Sequence, residues 1–295
     1  MAKEKGIIIK GIGGFYYVEA ADGEIYECKP KGIFRKEGIK PLPGDRVTIS
    51  VNDKAENTID EIEERKSLMT RPPVANVDRL FIVSSTTEPA PVLFIIDKLT
   101  ALAVDKEIEP IVVFTKCDLA PGEEFAEIYR KVGIKAYCVS GKTGEGTKEV
   151  EKEFEGHVCA LCGNSGVGKS SLLNAIFPDL DLKTAEISEK LGRGRHTTRH
   201  SELFKVKGGY VADTPGFASI VSEDSEFIIK ENLPFAFPEF QQYLGTCKFS
   251  TCLHMKDKGC KIIEAVEQGI IPESRHQSYC MMMEGVKDIA DWQLK

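Results

Sequence analysis

No stretch of this chain approaches the roughly 18 consecutive apolar residues that a membrane-crossing helix needs. The opening Met-Ala-Lys-Glu-Lys leads into a short apolar run that cannot serve as the core of a secretory signal. Positive charge is not in excess. The 295 residues carry 39 Lys and Arg against 46 Asp and Glu, a net charge of −7. That argues against a generally basic coat for nucleic acid and leaves room for local basic patches. A disulfide framework is not indicated either. The nine cysteines are odd in number and scattered among apolar strands, which fits reduced thiols in a cytosol. What is present is a soluble composition, 42% hydrophobic and 29% charged, long enough for two or three domains with cores of their own.

The clearest motif is Gly163-Asn164-Ser165-Gly166-Val167-Gly168-Lys169-Ser170, a phosphate-binding loop of the G-x-x-x-x-G-K-[ST] kind, followed by Ser171. The apolar run His157–Cys162 reads as a buried strand, and Ser170–Phe177 has the one-sided spacing of a helix. In that context the loop amides meet phosphate oxygens at a helix N-terminus. Lys169 would reach the β- and γ-phosphates, and the Ser170 hydroxyl would ligate Mg²⁺.

Before this loop the chain divides in two. Residues 1–66 read as short strands broken by turns, the pattern of a five-stranded oligonucleotide/oligosaccharide-binding (OB) barrel. Phe15, Tyr16, Tyr17, Tyr26, Lys31, Phe34, Arg35 and Lys36 are candidates for contact with a single nucleic-acid strand, although some of these aromatics belong to the core. Arg71-Pro72-Pro73 reads as a stiff linker. Residues 67–221 then alternate strands and helices, which predicts a parallel α/β sheet covered on both faces.

Thr115-Lys116-Cys117-Asp118 follows one of those strands and looks like the Asn-Lys-x-Asp guanine motif of GTPases. A carboxylate at Asp118 can accept from both guanine N1–H and the exocyclic amine, a donor pair that adenine lacks. Ser140-Gly141-Lys142 resembles the Ser-Ala-Lys loop behind the guanine O6. Asp213-Thr214-Pro215-Gly216 matches the Asp-x-x-Gly turn, with Asp213 holding Mg²⁺ through water and the Gly216 amide sensing the γ-phosphate. The segment between carries Arg193, Arg195, His196, Thr197, Thr198 and Arg199. Thr198 is preferred over Thr197 for Mg²⁺, and the arginines suit RNA phosphate or transition-state charge. Phe217 stands where many GTPases have a water-orienting Gln, so His196 is the candidate for positioning and deprotonating water.

The guanine motif and Ser-Gly-Lys precede the phosphate loop, the reverse of ordinary GTPases, which points to circular permutation. In residues 222–295, Cys247-x4-Cys252-x-His254-x5-Cys260 forms a closed Cys₃His set for one structural Zn²⁺, ringed by Lys248, Lys256, Lys258 and Lys261. Cys280 lies outside that spacing. A last helix, Glu273–Val286, carries Arg275, His276 and Tyr279 as a candidate RNA-facing surface.

Taken together, these motifs resemble the circularly permuted ribosome-assembly GTPases of the RsgA (YjeQ/YloQ) family over essentially the whole chain. The resemblance implies an OB barrel, a permuted P-loop GTPase domain and a mainly helical zinc domain. It also implies a cytoplasmic protein that binds the 30S subunit and its 16S rRNA late in maturation, with GTP hydrolysis stimulated by the subunit, and the same four zinc ligands. A monomer is expected. The alternatives are a nucleotide-gated RNA-binding scaffold with negligible hydrolysis and, against Asp118, a P-loop ATPase or kinase.

Overall fold

The computed structural model describes residues 2–52, 55–70, 73–180, 201–213 and 227–289. The first five strands are β1 (Ala2–Ile12), β2 (Phe15–Ala20), β3 (Ile25–Pro30), β4 (Arg46–Val51) and β5 (Asn57–Ile62), with a short helix α1 (Gly32–Lys36) between β3 and β4. They pair in the order β1-β2-β3-β5-β4, and β4 returns to β1, which closes the expected barrel. Its core is Ile8, Val18, Cys28, Phe34, Val47, Ile49 and Ile59. Phe34 is therefore a core residue and not a nucleic-acid contact, because α1 plugs the barrel with its one apolar side chain that points inward. Tyr16 and Tyr26 also pack partly against this core.

The next element is a hairpin, β6 (Leu68–Thr70) with β7 (Pro73–Ala75). The stiff linker expected at Arg71–Pro73 is corrected here as to Pro73, which lies in β7; Arg71 and Pro72 fall outside the described residues. A proline is tolerated at such an edge because no ladder donor is required of it. The hairpin is tied to the barrel. The Asn76 amide donates to Gly44 O at 2.9 Å, and Arg65 Nε donates to buried Asp45 at 2.7 Å.

The α/β part comprises β8 (Arg79–Ser85), α2 (Leu93–Asp105), β9 (Glu109–Thr115), α3 (Glu123–Arg130), β10 (Lys135–Cys138), α4 (Thr147–Lys152), β11 (Val158–Cys162), α5 (Lys169–Ile176), β12 (Glu202–Val206) and β13 (Gly209–Asp213). The order across this part of the sheet is β10-β9-β8-β11-β13-β12, with β12 antiparallel to β13. Alternate residues serve opposite faces. Leu80, Ile82, Val112 and Phe114 enter one core, and Phe81, Val83, Ile111 and Val113 the other. Both faces are buried, so these strands are continuously apolar rather than alternating.

The described C-terminal part has 3₁₀ turns at Leu233–Ala236 and Pro238–Tyr243 and helices α6 (Lys261–Glu267) and α7 (Glu273–Val286). It shares the first core with α2 and α3, through Phe237, Phe240, Tyr279 and Met283. One junction had no clear signal in the sequence. Strand β1 also pairs with β12, Lys10 opposite Glu202, so barrel and α/β sheet run on as one. A Lys10–Glu202 ion pair at 2.8 Å and a Lys205–Glu19 contact close that seam.

Candidate nucleotide site and zinc centre

The phosphate loop joins β11 to α5 at the C-terminal end of the parallel sheet, where ligands of such sheets bind. Gly163 has φ +139°, and a Cβ there would come within 2.1 Å of Val83 O, so only glycine fits between the strands. Val167 and Leu172 anchor the loop and helix in the core, while Ser165, Gly166, Ser170 and Ser171 are exposed at the mouth. The half-buried Lys169 ammonium donates to Gly163 O at 2.7 Å and Asn164 O at 2.8 Å. Burial lowers its pKa, a bias that an adjacent phosphate charge would oppose.

The guanine motif leaves β9 directly beside this loop. Thr115, where GTPases usually carry Asn, is buried; its Oγ1 donates to Val167 O of the phosphate loop and lies 3.2 Å from Ser84 O. The hydroxyl thus braces one nucleotide loop against the other. Lys116 takes φ +60°, and its Nζ donates to Glu88 O at 2.5 Å. The Cys117 amide donates to Val139 O at 3.1 Å. Asp118 is exposed, and one of its oxygens accepts from the buried Ser140 hydroxyl at 2.7 Å. Each carboxylate oxygen has a further lone pair, so both remain able to accept from guanine.

Ser140 in turn accepts from the amides of Lys142 and Thr143, at 3.2 and 3.1 Å, and so shapes the Ser-Gly-Lys turn. Gly141 lies against α5. A Cβ on it would meet the Ser171 carbonyl at 3.0 Å, closer than side chains normally approach. Two loops that precede the phosphate loop in sequence therefore pack against it.

On the other side of β11, β13 runs parallel to it, Ala160 beside Ala212, and ends at Asp213. The main chain thus brings Asp213 to the same end of the sheet. His196, Thr197, Thr198, the nearby arginines, Gly216 and Phe217 lie outside the described residues. Sequence reasoning missed the β8–α2 loop. Thr86 Oγ1 lies 3.2 and 3.1 Å from the carbonyls of Thr115 and Lys116. The signal was a polar, turn-forming run, Ser84 to Pro89, at the end of a buried parallel strand.

In the C-terminal part, ligand atoms of Cys247, Cys252, His254 and Cys260 all lie within 4.8 Å of one another. Cys247 and Cys260 Sγ are 3.9 Å apart, and His254 Nδ1 is 3.5 and 3.4 Å from them. A tetrahedron with Zn–S of about 2.3 Å has edges of about 3.8 Å, so this donor set fits zinc, with Nδ1 as the imidazole ligand atom. His254 reaches this position with φ +60°. Among the described residues no other cluster of this kind occurs.

Arg275 and Tyr279 correct an expectation. Both are fully buried rather than RNA-facing. Helix α7 turns both inward, and Tyr279 with His276 supports the metal loop: Tyr279 OH donates to Leu253 O at 2.9 Å, and His276 Nε2 lies 2.7 Å from His254 O. Cys280 stands apart from the four ligands, 3.7 Å from His276 Nε2.

A P-loop sheet in which the guanine loops come first in the chain defines a circularly permuted GTP-binding protein, with a barrel before it and a zinc-type cluster after it. Known proteins place it further. The family described as RsgA GTPase matches residues 62–222, and the RsgA N-terminal domain matches residues 5–59. The small ribosomal subunit biogenesis GTPase RsgA of Geobacillus sp. (strain WCH70) is 43% identical over 290 residues, covering 96% of this chain and 98% of that one. That of Bacillus subtilis (strain 168) is 41% identical over 294 residues, with the same coverage. The crystal structure of YjeQ from Thermotoga maritima matches with a TM-score of 0.82 at 34% identity, over 98% of this chain and all of that one. That of YloQ, a circularly permuted GTPase, matches with 0.82 at 35% identity, over 97% and 96%. The chain belongs to the RsgA GTPase family and is a GTP hydrolase.

Proposed function

We propose that this GTPase acts on the small ribosomal subunit late in its maturation, binding 16S rRNA and hydrolysing GTP to GDP and phosphate when the subunit is engaged. The carrying observation is the Thr115 contact to Val167 O, supported by Gly141 against Ser171: guanine and phosphate loops form one continuous cradle. The names of the relatives support the choice of particle.

Within the cradle, the amides of residues 163–171 and the Lys169 ammonium hold the phosphates. Asp118 accepts from the guanine edge, Lys116 lies along the base, and Thr115, Cys117 and Ser140–Lys142 fix the loops. Ser170, Thr198 and Asp213 would hold Mg²⁺, which when bound neutralises charge on the phosphoryl oxygens. The Gly216 amide senses the γ-phosphate. His196 orients the attacking water and accepts its proton, because Phe217 cannot do so.

Cys247, Cys252, His254 and Cys260 hold one structural zinc ion. The barrel offers RNA the exposed Lys31, Arg35 and Lys36, the half-buried Tyr17, and Phe15 with Lys29 Nζ 4.8 Å over its ring. The domains are residues 1–66, 67–221 and 222–295, in a cytoplasmic monomer.

The test is GTP turnover alone, with small subunits and with large subunits. Small subunits alone should accelerate it. His196→Ala should lower the stimulated rate by about a hundredfold at unchanged GDP affinity. Absence of stimulation would refute the ribosomal role, and full stimulated turnover in His196→Ala would remove that histidine from the mechanism.

A further inference from the structure

The fully buried Arg275 joins two domains. From α7 its Nη1 donates to Asp97 Oδ1 at 2.8 Å and to Thr100 Oγ1 at 2.9 Å, both on α2. Its Nε and Nη2 donate to Glu239 at 2.8 and 3.3 Å. The guanidinium also lies 4.7 Å over the Phe237 ring. Asp97 and Glu239 are themselves buried, so shifting α7 along α2 while they stay packed would leave charges buried without their partners. Such a contact opens or stays shut as a unit; it does not slide.

Helix α2 has a second engagement. At its N-terminal end, Pro89, Val92, Ile96 and Leu99 line a cleft together with Gly163 and Val167 of the phosphate loop. The loop leading into it touches the guanine motif through Thr86 Oγ1 and the Lys116–Glu88 contact. Beyond Arg275, α7 supports the metal loop through Tyr279 and His276. Every link from phosphate loop to zinc centre is thus a packed or hydrogen-bonded contact.

We propose that Arg275 is a positioning residue for the nucleotide site: it locks α2 to α7, so that occupancy of the site and seating of the zinc-bearing domain are linked. The link runs through α2, independently of the chain that leaves Asp213. It rests on the reading that guanine nucleotide binds between Asp118 and Lys169.

The test uses the full chain with zinc bound. Amide hydrogen exchange across residues 247–286 is measured with and without GDP, alongside GDP affinity, for the wild type, Asp97→Asn and Thr100→Val. GDP should slow exchange in α7 of the wild type by about tenfold. In both variants that increment should fall below about twofold, with far-UV circular dichroism and zinc content unchanged, and GDP affinity should weaken by a similar factor, since linkage is reciprocal. A purely structural role would lower protection equally with and without GDP. An increment equal in wild type and variants overturns the proposal, as does a wild type that binds GDP with no response in α7. A wild type that binds no GDP overturns the guanine-site reading and the proposal with it. If Asp97→Asn fails to fold, Thr100→Val decides, because it keeps every charge of the cluster.

Discussion

Replacing Ser140 by Ala probes the guanine site through a single atom. The Ser140 hydroxyl donates to Asp118 at 2.7 Å and accepts from the amides of Lys142 and Thr143. Those amides belong to exposed residues, so water can replace the lost acceptor. The carboxylate loses more. A hydrogen bond to a charged group is worth about 1.5–3 kcal/mol. Asp118 is exposed, and water recovers part of that, so the lower end of the range applies. At 1.4 kcal/mol per decade, the GDP Kd should rise roughly 10- to 30-fold. Displacement of a fluorescent GDP analogue measures it. The same titration on Asp118→Ala and on the double variant closes a thermodynamic cycle. If Ser140 acts by orienting the carboxylate, the double variant should be no weaker than Asp118→Ala alone. A Ser140→Ala Kd within twofold of wild type, or additive losses in the cycle, would refute the reasoning.

Thr115→Val should act on the other half of the cradle. It removes the donor to Val167 O and leaves that buried carbonyl unpaired, at about 1–3 kcal/mol, so GDP affinity should fall about tenfold; a change under twofold would refute the bracing role. Cys260→Ser should abolish the roughly one equivalent of zinc per chain and lower the melting temperature, while Cys280→Ser should leave metal content intact, both read by elemental analysis and calorimetry. Glu153 supplies a pH test. Burial pushes its carboxyl up, but hydrogen bonds from Lys135 and Tyr137 and the Arg79 charge outweigh that and hold it below the ordinary value. A depressed folded-state pKa means stability present above the usual carboxylate range and lost as pH falls through the folded value. Glu153→Gln should therefore flatten the acid limb of a denaturant-midpoint profile, and an unchanged acid limb would contradict it.

Much of this could be read in the chain because the signals were local. The barrel showed as strands separated by Ala21-Asp22-Gly23 and Pro41 to Gly44, and the zinc set as three thiols and an imidazole in one short span. The parallel strands showed as unbroken apolar runs, since both faces of the sheet are buried. What could not be read depends on partners distant in sequence. Helix α7 buries Arg275 and Ser278 along with Tyr279 and Met283, so no apolar stripe marks its inner face. Arg275 looked like a surface cation because its counter-charges, Asp97 and Glu239, sit in other elements. The β1–β12 junction leaves equally little trace: a strand serving three neighbours has the same sequence pattern as a strand serving two.

Permutation gives these long-range contacts their arrangement. In the sheet, β8 and β9 come early in the chain, yet β11 lies beside β8 and β13 beside β11. The chain thus enters the nucleotide fold from the barrel, at the strand whose following loop touches the guanine motif, and completes its described sheet at Asp213. The barrel is also tied back through β1 to β12, whose partner β13 ends at that residue. The zinc-bearing part returns to the opposite flank and packs on α2. Each flanking part therefore meets the α/β fold next to a proposed nucleotide loop: the barrel at β12 beside β13, and the zinc-bearing part at α2, which follows the loop that touches Thr115 and Lys116. On the α2 flank the charges of the contact are buried, which makes sliding there expensive. In this chain order the barrel is attached through β12 and the zinc-bearing part through α2, each next to a segment proposed above to hold the nucleotide.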